Sequence, residues 1–365
     1  LFETETGKSR KIDSDEIYTP GPFREMNGSW SPDSRWLAYT RLTETQFRRI
    51  YIYSVEDSKS YPVTDGLSDA GDPVFDKEGM YLYFLASTDA GPVINWFDQS
   101  NAGLRMTNSI YLATLRKDII HPFARQSDEE KGTAREEKKV GDQGKGTGES
   151  KDTGKDTGAG ADKLLQGKED NKINIDFDGL ESRIVSVPLR AGNYSQIGAA
   201  KDGEFLYVAG SNEAPYTSKL FRYDMKERKE SEVMELNYYM LTADGKKMLY
   251  NKGETFGICD AGKKPEPGKG ILATTALEVK IDPVEEWKQI LDEAWRINRD
   301  YFYDPGMHGA DWKAMKTKYS AFLGDLACRN DLNRLIQWMC SELVVGHSNS
   351  GGGDQLMNPE RVPGG

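Results

Sequence analysis

The residues best suited to chemistry lie near the end of the sequence, where His347 stands between a helix-patterned stretch and the glycines at 351–353. Histidine is the side chain used most often as a general base near neutral pH, provided that a rigid element holds it beside open space. The preceding helix would supply that support, and Gly346 would let the backbone approach a substrate closely. A solvated loop histidine is the commoner outcome of such a pattern, so both interpretations stay open.

The neighbouring candidates fit catalysis less well. Ser348 lies in the stretch 346–350, which misses the nucleophile-elbow pattern Gly-x-Ser-x-Gly at its final position. His308 is predicted to shape a turn between two helices, with Asp311 as the cap of the second helix. His121 precedes a proline and is predicted to be a loop residue.

No cofactor and no metal site is indicated by the motifs. Residues 262–270 lack the spacing of a phosphate-binding loop, and the stretch 174–185 resembles a calcium loop but ends on Val185 where glutamate is required. The three cysteines form no CxxC pair and indicate neither a disulfide framework nor a zinc site.

Composition excludes two classes of partner. A net charge of -11 over 365 residues argues against nucleic-acid binding, which needs a concentrated basic face. No apolar run approaches the roughly 20 residues that span a bilayer. The sequence starts at Leu1 without a charged and apolar leader, and we expect it to begin inside a larger protein.

The first 281 residues are predicted to form blades of a β-propeller. Short strands rich in Tyr, Val, Ile and Leu follow turns that contain aspartate, as at Asp33, Asp76, Asp202 and Asp244. The first two of these positions are 43 residues apart and the last two 42, a period typical of propeller blades.

The wider gap between Asp76 and Asp202 contains a tract, 126–172, that is rich in Gly, Lys, Glu, Asp and Thr and has no aromatic residue. Such a tract cannot bury enough apolar surface to offset its ordering entropy, and we expect it to be disordered. The gap is therefore predicted to be one blade with long loops, whose outer strand is 183–187. The sequence predicts about four blades and a partial one at the N-terminus.

Residues 282–350 are predicted to form a small all-α subdomain, followed by a glycine-rich linker at 351–365. Asp282, Pro283 and Glu285 have the types expected at the N-cap, N1 and N3 positions of a first helix. A second helix is expected from Asp311 and a third from about Asp331. Their apolar stripes consist of Trp287, Ile290, Leu291, Ala294, Trp295 and Tyr301, then Trp312, Met315, Tyr319 and Phe322, then Leu332, Leu335, Ile336, Met339 and Leu343.

Several long motifs together resemble the tricorn protease family. In the helical part they are residues 286–312, the helix end at 341–343, and His347 before residues 351–354. In the propeller part, residues 31–33 are similar to the repeat of TolB-like propellers, and residues 121–130 and 177–194 also resemble tricorn-type propeller sequence. The resemblance covers nearly the whole chain.

The resemblance implies a serine peptidase related to the C-terminal processing peptidases. Its architecture would be propellers beside a helical subdomain, then a PDZ domain to which 351–365 leads, then a second catalytic subdomain. The catalytic histidine of the family maps onto His347, while the family's nucleophilic serine and its glutamate would lie beyond Gly365. The family's serine directly before the histidine is replaced here by Gly346, which puts the orientation of the imidazole in question.

The implied partners are peptide substrates and, for the full-length protein, further copies of itself. A cytoplasmic location is expected, and a periplasmic one stays open. The alternative function is a non-catalytic propeller that binds or gates peptides, because no nucleophile is identified within residues 1–365. A propeller enzyme acting on glycans is disfavoured, since no convincing pair of functional carboxylates is found.

Overall fold

The computed structural model describes residues 1–17, 28–88, 107–123, 172–201, 203–211, 214–346 and 348–353. These residues form two compact units, Leu1–Thr274 and Thr275–Gly365, which we call the propeller unit and the helical unit. The tract 126–172 lies outside the described residues except for Lys172, so the predicted disorder stays a prediction.

The described residues of the propeller unit form four antiparallel sheets built from consecutive strands, as expected for propeller blades. The first sheet contains β1 (Ser29–Trp30), β2 (Trp36–Leu42), β3 (Arg48–Ser54) and β4 (Lys59–Pro62). The second contains β5 (Asp69–Phe75), β6 (Tyr81–Ser87), β7 (Ser109–Thr114) and β8 (Ile184–Ser186). The third contains β9 (Tyr194–Ala199), β10 (Glu204–Gly210), β11 (Ser218–Asp224) and β12 (Lys229–Glu235), and the fourth β13 (Tyr238–Leu241), β14 (Lys247–Lys252) and β15 (Thr255–Asp260).

The prediction of propeller blades is confirmed, including the outer strand of the second blade, since β8 pairs with β7 although more than 60 residues separate them in sequence. The predicted partial blade at the N-terminus is reduced, among the described residues, to an isolated bridge between Phe2 and Ser9. Leu1 and Ile12 pack on the tyrosines of the first blade.

The core of the propeller unit lies between neighbouring sheets. Ile52 and Phe84 belong to the cluster shared by the first two blades. Phe205 joins the second blade to the third, where its ring centroid lies 4.8 Å from that of Tyr83. Each fully buried side chain of this size contributes about 1.5–3 kcal/mol relative to exposure. The blades are therefore stabilised chiefly by the apolar side chains buried between neighbouring sheets.

The turn that closes the first hairpin has the same hydrogen bonds in the first and fourth blades. In the first blade the Ser31 hydroxyl donates to Asp33 Oδ1 at 2.6 Å and accepts from the Trp36 amide at 3.0 Å. In the fourth blade the Thr242 hydroxyl donates to Asp244 Oδ1, also at 2.6 Å. A hydroxyl that both donates and accepts therefore defines this turn.

In the second blade Asp76 takes the place of that hydroxyl, which corrects the alignment predicted from spacing. The strand register pairs Phe75 with Leu82, so Asp76 is equivalent to Ser31 and Glu78 is equivalent to Asp33. Asp76 Oδ1 accepts from the Tyr81 amide at 2.8 Å, and the carboxyl is buried. Equating Asp33 with Asp76 was wrong because a carboxylate occupies both positions of this turn in the second blade.

We expect Asp76→Thr to stabilise the propeller unit at pH 8 by about 1–3 kcal/mol and to have little effect near pH 4. Burial, together with the nearby charge of Glu78, raises the pKa of Asp76 to about 7 despite the opposing Tyr81 amide. Because the folded pKa is raised, the native state of the wild type loses stability as the pH rises from about 4 to about 7. Thermal unfolding at several pH values measures this, and an equal shift at pH 4 and pH 8 would contradict it.

The helical unit contains α1 (Pro283–Tyr301), α2 (Trp312–Ser320) and α3 (Arg329–Ser341). The predicted caps are confirmed, since the Asp282 carboxylate accepts from the amides of residues 284 and 285, and that of Asp311 accepts from the amide of Ala314. The third helix begins at Arg329, slightly before the predicted Asp331, whose carboxylate accepts from the amides of residues 327 and 328.

Most of the predicted apolar stripes form the core of the helical unit, with two exceptions. Tyr301 is the last residue of α1 and is exposed. Phe322 follows the end of α2 and is 47% exposed. Both were placed on buried stripes by extending a helical period past the point where the helix still packs.

Two tryptophans fasten α1 to α2. The Trp295 indole donates to the Trp312 carbonyl at 2.7 Å, and the Trp312 indole donates back to the Trp295 carbonyl at 3.0 Å. Arg299 and Lys316 lie over the Trp295 ring at 5.0 and 4.8 Å from its centroid. This pair of tryptophans holds α1 and α2 together, and α3 packs against both helices in the same core.

Within the described ranges, none of the helices is both long and apolar enough to cross a bilayer. Among the same residues, His, Cys, Asp and Glu side chains form no group that could hold a metal ion. All three cysteines are free thiols, with Cys340 buried, Cys259 half-buried and Cys328 exposed.

Candidate active-site segment after the third helix

The candidate site is the segment that follows α3, residues 342–353, which we call the post-helix segment. It begins at Glu342, whose Oε1 accepts from Lys318 Nζ at 2.6 Å and from the Tyr319 hydroxyl at 2.7 Å. The Lys318 ammonium, and then the Tyr319 hydroxyl, hold the pKa of Glu342 below its usual value. The first residue of the segment is therefore tied to α2.

Leu343, the next residue of the segment, is held by both its side chain and its carbonyl group. Its side chain is fully buried in the core of the helical unit. Its carbonyl oxygen lies 2.8 Å from His308 Nδ1. A backbone carbonyl beyond a helix end lacks an intrahelical partner, and here a side chain from a distant turn satisfies it.

Val344 adopts a strained backbone conformation. Its φ is +52°, in the left-handed region that is a genuine outlier for a β-branched residue. Its amide donates to the Ser341 carbonyl at 3.0 Å, and its side chain is 83% exposed. Such strain persists only where the surroundings impose it, and it is concentrated at functional sites.

Replacing Val344 by glycine is expected to stabilise the helical unit by about 0.5–1 kcal/mol, because glycine adopts positive φ without a steric penalty. The side chain contributes little packing, being largely exposed. Val344→Ala is the matched control, since it removes the same packing and keeps the penalty. Chemical denaturation measures both variants, and equal unfolding free energies for glycine and alanine would contradict the strain argument.

Gly346 is exposed and is not required by the backbone. A Cβ built there meets no atom within 4 Å, and its φ lies outside the left-handed region. A serine therefore fits at this position. The next residue, His347, lies outside the described residues, so its predicted catalytic role is untested by the structure.

The chain beyond position 347 is anchored again. Asn298 Nδ2 of α1 lies 3.7 Å from the sulfur of the buried Cys340, whose pKa the Ser348 side chain also influences. Burial raises the pKa of the Cys340 thiol, while Ser348 and Asn298 oppose that shift. The Ser348 side chain itself is half-buried.

The glycines at the end of the segment lie against residues in the first half of α3. Asn333 Nδ2 donates to the Gly352 carbonyl at 2.9 Å. Gly353 has a φ of +94°, and a Cβ there would lie 2.3 Å from Arg329 Cγ. The segment is therefore fixed both before and after position 347, and it runs back along the helix that precedes it.

The other two histidines lie where the sequence predicted. His121 is an exposed loop residue of the propeller unit, and its Nδ1 accepts from the Phe123 amide at 2.9 Å. His308 lies in the short 3₁₀ turn Met307–Gly309 between α1 and α2, as expected. Its contact with Leu343 was not predicted, because a main-chain acceptor has no signature in the sequence.

Comparison with known proteins places these features in a family. Residues 1–262 match the profile described as the tricorn protease second beta propeller domain, and residues 283–341 match that of the tricorn protease C1 domain. The chain belongs to the tricorn protease family. The post-helix segment begins directly after the part matched by the C1 domain.

Similar proteins with curated descriptions carry tricorn names. The chain is 26% identical over 354 residues to "Putative tricorn protease homolog 2" of Streptomyces coelicolor, covering 90% of this chain and 27% of that protein. It is also 26% identical over 360 residues to "Putative Tricorn-like protease C-terminal subunit" of Sulfurisphaera tokodaii, covering 95% of this chain and 36% of that protein. The chain thus spans about a quarter to a third of the length of these tricorn relatives.

The crystal structure of the tricorn protease has the same fold. It superimposes with a TM-score of 0.69 at 20% identity, covering 96% of this chain and 32% of that one. The tricorn-family chain therefore combines propeller blades with the helical domain, as the sequence predicted, and its relatives are named as proteases.

Proposed function

We propose that the protein containing this chain is a serine-type peptidase that cleaves unfolded peptides or oligopeptides, and that this chain supplies its propeller and its general base, His347. The observation that carries the proposal is the two-sided anchoring of the post-helix segment. On one side Leu343 is buried in the core of the helical unit and bonded by His308, and on the other side Asn333 of α3 donates to the Gly352 carbonyl. A general base must be held in this way if it is to act on a nucleophile from another part of the protein.

In this proposal the nucleophilic serine comes from outside residues 1–365. The imidazole of His347 accepts the proton of the serine hydroxyl as that oxygen attacks the peptide carbonyl carbon. It then returns the proton to the leaving amine, and water repeats the sequence to release the acyl group. The propeller unit would select or guide extended peptides to that site.

Because residue 346 is glycine, no serine hydroxyl stands directly before His347 in this mechanism. The open space around Gly346 shows that a serine there would meet no steric obstacle. Since that hydroxyl is missing, we propose that the anchoring of the post-helix segment and a carboxylate from outside this chain orient the imidazole. The proposal includes a homo-oligomeric, cytoplasmic full-length protein.

Labelling with a serine-directed fluorophosphonate tests the proposal. The full-length protein should be labelled on one serine, identified by peptide mass spectrometry outside residues 1–365, while the 365-residue chain stays unlabelled. Absence of labelling in a folded full-length protein would favour the alternative, a propeller that binds or gates peptides without cleaving them. Hydrolysis of short fluorogenic peptides by the same two samples gives an independent reading.

A further inference from the structure

We propose that His308 is a positioning residue, which holds the main chain in front of position 347 through its bond to the Leu343 carbonyl. The inference rests on the proposed function of His347 and adds a second histidine to the same site. His308 lies 35 residues before Leu343 in sequence and belongs to the turn between α1 and α2. It links that turn to the main chain of the post-helix segment.

The hydrogen bonds of the His308 ring fix its tautomer. A carbonyl oxygen can only accept, so the proton lies on Nδ1, which is 2.8 Å from the Leu343 oxygen. In the neutral ring Nε2 is then an acceptor, and the Tyr303 hydroxyl, 2.5 Å away, donates to it. The ring is held at both nitrogens, as is usual for a histidine whose orientation matters.

The backbone of His308 is also fixed by hydrogen bonds and ring contacts. Its φ of +51° lies in the left-handed region. Asp304 Oδ2 accepts from the His308 amide at 2.8 Å, and Oδ1 accepts from the Gly306 amide at 2.9 Å. The rings of Phe302 and Tyr303 stand edge-on to the imidazole, each with its centroid 5.1 Å away. A strained residue fixed by this many contacts is typical of a functional constraint.

The position of the bond explains how His308 would act. The Leu343 carbonyl belongs to the peptide unit that leads into the strained Val344, only a few residues before His347. Without the bond that peptide unit can rotate, and the following residues move with it. A displacement of about 1 Å at a catalytic group can lower the rate about 100-fold.

Two substitutions separate the hydrogen bond from the backbone requirement. His308→Asn keeps a residue that tolerates positive φ and places an amide N–H close to the position of Nδ1. His308→Gly also accepts positive φ but has no donor. In the full-length protein we expect kcat for a fluorogenic peptide to stay within about 3-fold of wild type for asparagine and to fall about 10- to 100-fold for glycine, with KM unchanged.

Amide hydrogen exchange gives a reading that does not depend on activity. Exchange at residues 344–346 should be faster in His308→Gly than in wild type and close to wild type in His308→Asn. Equal exchange in the two variants would overturn the inference, whatever their activity. If His347→Ala keeps its activity, the proposed function fails, and the exchange rates still decide whether His308 holds the segment.

Discussion

Replacing His347 by alanine in the full-length protein is expected to lower kcat for short fluorogenic peptides by about 10⁴-fold or more. The size follows from the role of the base, because a serine hydroxyl that keeps its proton is a poor nucleophile and the members of such a site act as a unit. Circular dichroism and thermal unfolding of the variant check that the loss of activity is not a loss of the fold.

His121→Ala is the matched control for this variant. His121 is an exposed loop residue of the propeller unit, where its ring accepts from the Phe123 amide and stands edge-on to the Phe123 ring at 6.1 Å. Its removal should leave kcat within about 2-fold of wild type. Activity of His347→Ala close to that of the control would contradict the role proposed for His347.

Trp312→Ala is expected to destabilise the helical unit by about 3–5 kcal/mol. The substitution removes a buried side chain of the core together with its indole hydrogen bond to the Trp295 carbonyl, and it leaves a cavity. Since stabilities of whole domains are only about 5–15 kcal/mol, this is a large part of the unit's stability.

The control is Trp338→Ala on α3, where the same type of side chain is 53% exposed. It should cost less than about 1 kcal/mol. Urea denaturation followed by tryptophan fluorescence measures both variants. Similar losses in the two would show that the reciprocal contact between Trp295 and Trp312 is not what stabilises the helical unit.

The sequence predicted those parts of the fold that depend on local patterns. Alternating apolar residues and turn residues identified the blades, and Asp282 and Asp311 identified two helix starts because a cap is formed by residues close in sequence. The equivalence of Asp76 with Ser31 was missed. It depends on strand register, which turn residues alone do not fix when a carboxylate replaces a hydroxyl.

The candidate site was predicted only in part, for a related reason. The type and position of His347 are visible in the sequence, but what holds its neighbours is not. The bond from His308 reaches a main-chain carbonyl far along the chain, and the positive φ of Val344 runs against the preference of its side chain. Both are consequences of tertiary packing, in which a distant element decides a local conformation.

The most direct test of the central claim is the second-order rate constant for fluorophosphonate labelling of the full-length protein, compared between wild type and His347→Ala. This rate reports the activation of the nucleophile itself and does not depend on the choice of peptide. The account predicts a rate lower by about 10³-fold or more in the variant. A rate within about 10-fold of wild type, in a protein that unfolds at the wild-type temperature, would contradict the assignment of His347 as the base.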